Sequence, residues 1–469
     1  MTDTKAHPGR DNFVALAVVA VALAVMFVGA IMPTPLYPLY QRAFGFSGIT
    51  LTLIYAVYVL GNLVALLFFG RLADQVGRRS TILPAIGFGI VCTVAFAAAA
   101  GTPWLFAARA LSGFSTGLAA GAATAWIAEL YTGRGNGAAA RIAASANFFG
   151  CAAGPLFGGL LAQFAPAPLR LPYLVYLVLL CAVAGAILFV PETVANPKRF
   201  GEASLRPRLG VPRPIRLQFV SPAVSGFATF SLIGFYAALI PNLLAESLHE
   251  SAHTVAGAIV CEGFGIAAIT ILSTAWLASQ AAMFSALALL LPAAWLLVGA
   301  ELARSMPLLL LAAALCGVAG GLGYRGSLEV INRIAPADQR SEVVSSYLIA
   351  LFAGNSLPVI GIGVLSAATS AIVAHVAFAT VITALAGIAA LTGIKYAPDR
   401  KQPLSGCRSF SPGSAALDDG IGIDQELSGA GDESFVVSFS ACDETGIEFD
   451  QGFIPMERRW QGCGEQRAA

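Results

Sequence analysis

Residues 49–100 read ITLTLIYAVYVLGNLVALLFFG, then RLADQVGRRS, then TILPAIGFGIVCTVAFAAAA. Two apolar runs flank ten residues that hold every charge of the stretch: Arg71, Asp74, Arg78 and Arg79. A helix crossing the hydrocarbon core needs roughly 20 mostly apolar residues, and each flank supplies them. Both runs are continuously apolar rather than alternating, which excludes a transmembrane β-barrel.

The same unit recurs along the chain. Runs of this kind centre on 13–39, 49–70, 81–100, 103–130, 142–164, 171–191, 217–242, 252–276, 280–301, 306–332, 342–366 and 370–395. They predict an all-α integral membrane protein of twelve transmembrane helices. Composition agrees, with 57% hydrophobic and 11% charged residues against about 25% charged in soluble domains. The run from Phe13 is too long for a signal peptide and reads as an uncleaved first helix.

Charge orients the helices. With the N-terminus inside, eighteen Lys and Arg up to residue 401 fall in cytoplasmic segments, and only Arg42, Arg170 and Arg304 on the other side. This bias predicts that both termini are cytoplasmic. The Pro-rich, basic connection 193–216 divides six helices (1–192) from six (217–395). The remaining 396–469 carry thirteen of the 26 acidic residues with no spanning run, and read as a flexible cytoplasmic tail.

The halves echo each other at an offset near 200. Pro35 answers Pro241, and Glu129, Arg141, Ser145, Pro155 and Gly158 answer Glu329, Arg340, Ser345, Pro358 and Gly361. Matches in register over two regions indicate a duplicated six-helix unit with pseudo-twofold symmetry.

The loop Gly70-Arg71-Leu72-Ala73-Asp74-Gln75-Val76-Gly77-Arg78-Arg79 resembles the signature loop of the major facilitator superfamily, in which Gly, Asp, Gly and two basic residues recur at this spacing. Gln75 and Ser80 stand where members often carry basic residues. Physically, Gly70 permits close approach, Asp74 suits a helix N-terminus, and Gly77 allows a tight turn. The resemblance implies a conformational latch here rather than a substrate contact. Arg109, in Phe106–Gly117, is similarly placed to the family's arginine linked to proton transfer. Snorkelling toward the outer face is its plainer reading. Gly150, Gly154, Pro155, Gly158 and Gly159 resemble the family's antiporter motif, although Arg141 replaces its first glycine. Small residues at this spacing pack helices backbone to backbone, and the proline adds a kink.

Polar groups inside apolar runs are costly and therefore informative. Glu262, near the middle of the eighth helix, is the carboxylate deepest in a span and the candidate proton carrier, with Arg109 assisting if the two face one cavity. Glu301 falls toward a helix end. Glu129 and Glu329 lie near cytoplasmic helix ends, Arg325 one turn before Glu329. They suggest inner gates, Glu129 pairing with Arg78. Tyr37, Tyr55, Tyr58, Asn62, Tyr236 and Asn242 lie on helices that line the family's central cavity, while Tyr40 reads as an interfacial anchor.

Together these readings imply a secondary transporter of the inner membrane, with protons and a small molecule as its partners beside the bilayer. Proton-coupled efflux of an amphipathic compound is expected from the antiporter motif. Uptake by symport and a non-transporting sensor are the alternatives. The sequence GFSTG at 113–117 lies mid-helix, so it is no nucleophile elbow. No cofactor, metal or nucleotide motif is present, nothing points to nucleic acid, and a monomer is expected.

Overall fold

The computed structural model describes residues 8–132, 137–202, 209–246, 248, 250, 252–336 and 339–396. The expected tail lies outside them, apart from Tyr396.

The described chain is helical throughout. In order it forms α1 (Pro8–Ile31), a 3-10 turn (Thr34–Leu36), α2 (Tyr37–Phe44), α3 (Gly48–Phe69), α4 (Leu72–Val76), α5 (Arg78–Ala97), α6 (Thr102–Leu130), α7 (Ala138–Phe164) and α8 (Leu171–Ile187). After two short 3-10 turns follow α9 (Arg216–Glu246), α10 (His253–Ser273), α11 (Ser279–Leu302), α12 (Met306–Ile334), α13 (Arg340–Ala368) and α14 (Ala371–Lys395). Twelve of these segments cross the membrane, α1 and α2 counting as one and α4 as a loop helix. Ten are both long and apolar enough to be spans on length and composition alone. The others are α6, diluted by Arg109 and many small residues, and α8, which has 17 residues.

The first span departs from the expected single helix over 13–39. Pro33, Pro35 and Pro38 crowd its C-terminal part, and each proline removes a backbone donor. The chain therefore leaves the helix at Ile31, makes one 3-10 turn and restarts at Tyr37. Its counterpart α9 runs unbroken through Pro222 and Pro241. Pro35 and Pro241 thus share a place in the repeat but not a conformation.

The helices pack as two bundles of six. In the first, α1 lies against α6, α7 and α8, and α6 against α3 and α5; in the second, α12 lies against α9, α10 and α11, and α9 against α13 and α14. The bundles meet chiefly through α7 with α10 and α3 with α13.

Lipid cannot drive helices together as water does, so close packing of small residues carries much of the association. A side chain at Gly150 would strike the Ala24 carbonyl, one at Gly154 that of Val28, and one at Gly158 that of Met32. These three glycines seat α7 on α1. Gly159 faces the other way, onto the His253 backbone, and Gly257 of α10 returns onto Pro155. One motif thus serves contacts within and between bundles. The repeat is imperfect here too: Gly361 has open space where Gly158 has a neighbour.

Candidate functional site

Where α4 meets α5 in the first bundle, Arg78 is the hub of a charged cluster. Its Nη1 lies 2.5 Å from Asp74 Oδ1 and its Nη2 2.5 Å from Glu129 Oε1, and Nε also donates to Glu129. Glu129 also accepts from the Thr193 hydroxyl. The guanidinium is buried although Asp74 is half open to the surface, so the arginine is the enclosed member of the set.

Asp74 lies in the first turn of α4, and the cap of α5 is a different acid. That place belongs to Glu192, whose Oε1 accepts from the Arg78 amide at 2.8 Å and Oε2 from the Arg79 amide at 2.9 Å. A carboxylate suits the unsatisfied amides and positive end of a helix, and Asp74 is held by Arg78 instead. Gly77 makes room: at φ +110 its backbone is one that side chains avoid, and a Cβ there would meet Glu192 Oε2 at 2.7 Å. Arg79 Nη1 donates to the Leu188 carbonyl, and Trp126 Nε1 to that of Pro191. The loop is therefore tied to α6 and to the end of α8. Gly70 lies over the Leu66 carbonyl.

The second bundle answers with a different pairing. Glu329 meets Arg325 on its own helix at 3.7 Å, and Arg325 Nη2 donates to the Leu277 carbonyl in the connection before α11.

Deeper in the first bundle, Arg109 is completely enclosed and does not snorkel. Its guanidinium carbon lies 5.9, 5.6 and 5.0 Å from the ring centres of Tyr37, Tyr55 and Tyr58, within range of cation–π attraction. Nη1 donates to the Ala30 carbonyl at 2.6 Å. Below it, the Tyr58 hydroxyl accepts from Thr116 Oγ1 at 3.0 Å and from Asn62 Nδ2 at 3.4 Å. Tyr55 reaches the other bundle, donating to Asn355 Oδ1 at 3.3 Å. Tyr40 is buried, its hydroxyl donating to the Phe96 carbonyl, and so is no interfacial anchor.

Glu262 lies on α10 in the second bundle, half-buried, with Oε2 enclosed and without a hydrogen-bond partner. Tyr236 is within electrostatic reach of this carboxylate and of Cys316. Tyr236 is buried, whereas Asn242 is half-buried near the C-terminal end of α9. Glu262 and Arg109 thus sit in different bundles, with different neighbours.

One buried pair escaped the sequence reading. Glu301, near the C-terminal end of α11, and His375 of α14 are both enclosed, with Oε2 and Nδ1 2.5 Å apart, and Phe235 stands edge-on to the imidazole. A histidine inside the final apolar run was the available signal. A place toward a helix end says nothing of the partner that encloses Glu301.

Comparison with known proteins agrees with this architecture. The family model of the Major Facilitator Superfamily matches residues 19–357, and the chain belongs to that family. Multidrug resistance protein 2 of Bacillus subtilis (strain 168) is 24% identical over 37% of this chain and 43% of its own length. Puromycin resistance protein pur8 of Streptomyces alboniger is 36% identical over 32% of this chain and 30% of its own. The chain thus matches less than half the length of either relative. Among solved structures, a bacterial homolog to the human lysosomal transporter Spinster, inward-facing and unoccupied, superposes with a TM-score of 0.61. It is 16% identical, covering 82% of this chain and 98% of that one. Its occupied form gives the same score at 17% identity.

Proposed function

We propose that this multi-pass transporter exports a small amphipathic compound across the inner membrane in exchange for protons, by alternating access between bundles 1–192 and 217–395. Both termini then lie in the cytoplasm, together with the connection 193–216 and the tail 396–469. Two resistance proteins among its relatives support efflux, as does the glycine–proline motif of α7.

The observation that carries the coupling is Glu262, an acid in the middle of a span with an enclosed, unpartnered oxygen. A carboxyl group so placed can hold a proton in one state and release it in another. Proton carriage falls to Glu262; Arg109, in the other bundle, serves the substrate. The cluster of Asp74, Arg78 and Glu129 is the inner latch, with Gly70, Gly77 and Arg79 shaping its loop, and Arg325 with Glu329 is its weaker counterpart.

Glu262→Gln mimics the protonated acid. In proteoliposomes it should lose proton-driven accumulation while retaining exchange of internal for external compound. Undiminished uphill transport by this variant would exclude the role.

A further inference from the structure

Arg109 is a buried cation for which, among the described residues, no carboxylate forms an ion pair. Removing a charge from water without a counter-charge is among the most expensive things a fold can do. Three tyrosine faces and the Ala30 carbonyl offset part of that cost. The carbonyl is available because α1 stops at Ile31, and the last carbonyls of a helix lack intrahelical donors.

What remains is directional. Nη1 is committed to Ala30, while Nε and Nη2 are buried and form no hydrogen bond of good geometry; the Tyr37 hydroxyl, close to the guanidinium, is likewise left without one. Those two nitrogens share one edge of the guanidinium, the planar pair of donors that matches the two oxygens of a carboxylate. A cap for α1 needs one donor, and leaving the others buried unmet is costly. The site also lies where substrate would pass, since Tyr55 both stands over the guanidinium and bonds to Asn355 of the opposite bundle.

We propose that Arg109 and its tyrosine cage form the binding site for the carboxylate head of an amphipathic organic anion, held two-pronged on the Nε–Nη2 edge. This rests on the transport reading above and names its substrate class. The three rings hold the guanidinium plane in place, and separation of Tyr55 from Asn355 opens the way to it. Cationic amphipaths are repelled by the same charge.

The test uses the full chain in phosphatidylcholine nanodiscs, with empty discs as the partition control. The probes are 11-(dansylamino)undecanoic acid and its methyl ester, which differ only in the head group. Wild type should bind the acid tighter than the ester by roughly tenfold or more. Arg109→Lys keeps the charge but not the edge and should retain only a few-fold preference, and Arg109→Gln should have none. Equal binding of the two probes by wild type, tighter binding of the ester, or no binding of the acid overturns the proposal without needing a variant to fold. Proton-driven export of a neutral compound by wild type with no acid preference would reject this site and leave the transport reading standing. Acid preference without any proton-driven movement would do the reverse.

Discussion

Tyr55 of α3 donates to Asn355 Oδ1 of α13 at 3.3 Å, one turn inside the place where Thr52 packs on Gly363. This hydrogen bond crosses between the bundles and shares its tyrosine with the Arg109 cage, so separation of the bundles there must alter both.

Tyr55→Phe removes the hydroxyl but keeps the ring over Arg109. A neutral hydrogen bond is worth about 1 kcal/mol, so the outward-open population should rise by roughly fivefold. The measure is the alkylation rate of Thr52→Cys by a membrane-impermeant maleimide, with and without the second substitution and against the chain lacking the new cysteine. An unchanged rate would show that the bond does not hold the bundles together.

The cluster around Arg78 predicts a separation of turnover from affinity. Asp74→Asn removes one of the two acids on the guanidinium and touches no group assigned to substrate. Turnover should fall by roughly tenfold while ligand affinity stays within about threefold. Glu192→Gln should act differently, because the α5 cap depends on that carboxylate: its loss should lower thermal stability by about 1 kcal/mol. Abolished ligand binding in correctly inserted Asp74→Asn protein would remove the loop from the conformational machinery.

Glycines predict where bulk is tolerated. A side chain at Gly113 of α6 would run into the Tyr58 carbonyl of α3, and one at Gly61 into that of Ala110, whereas Gly87 and Gly185 face open space. Gly113→Ala should destabilise the first bundle by about 1–3 kcal/mol, as overpacking does, and should disturb the Tyr58 ring that faces Arg109. Gly185→Ala should be neutral in the same thermal unfolding assay. Equal stability of the two variants would mean that α3 and α6 are not locked by backbone contact.

Much of the fold was legible because a bilayer imposes one rule on every span. Eleven of the twelve runs lie within a few residues of their observed helices, and the exception, at Met32–Leu36, is where prolines override hydropathy. Interior polar geometry was far less legible. Arg109 looked able to snorkel because depth can be read from the sequence but the side chain's direction cannot, and here it turns inward to a carbonyl released by the broken helix. Asp74 precedes the start of α5 by four residues and Glu192 follows the end of α8, and only the fold shows that the distant acid meets the amides. Glu301 and His375 are separated by 74 residues, a distance that no local pattern bridges.

The interruption of α1 has a consequence for how the repeat works. Its twin α9 is a single rod of 31 residues, while α1 and α2 are two rods with an elbow between them. Two copies of one ancestral unit have therefore become mechanically unequal. A strain applied at their C-terminal ends bends one at its elbow and must tilt the other whole. Arg109, bonded at that elbow through Ala30, sits where the hinge half would feel such a load first.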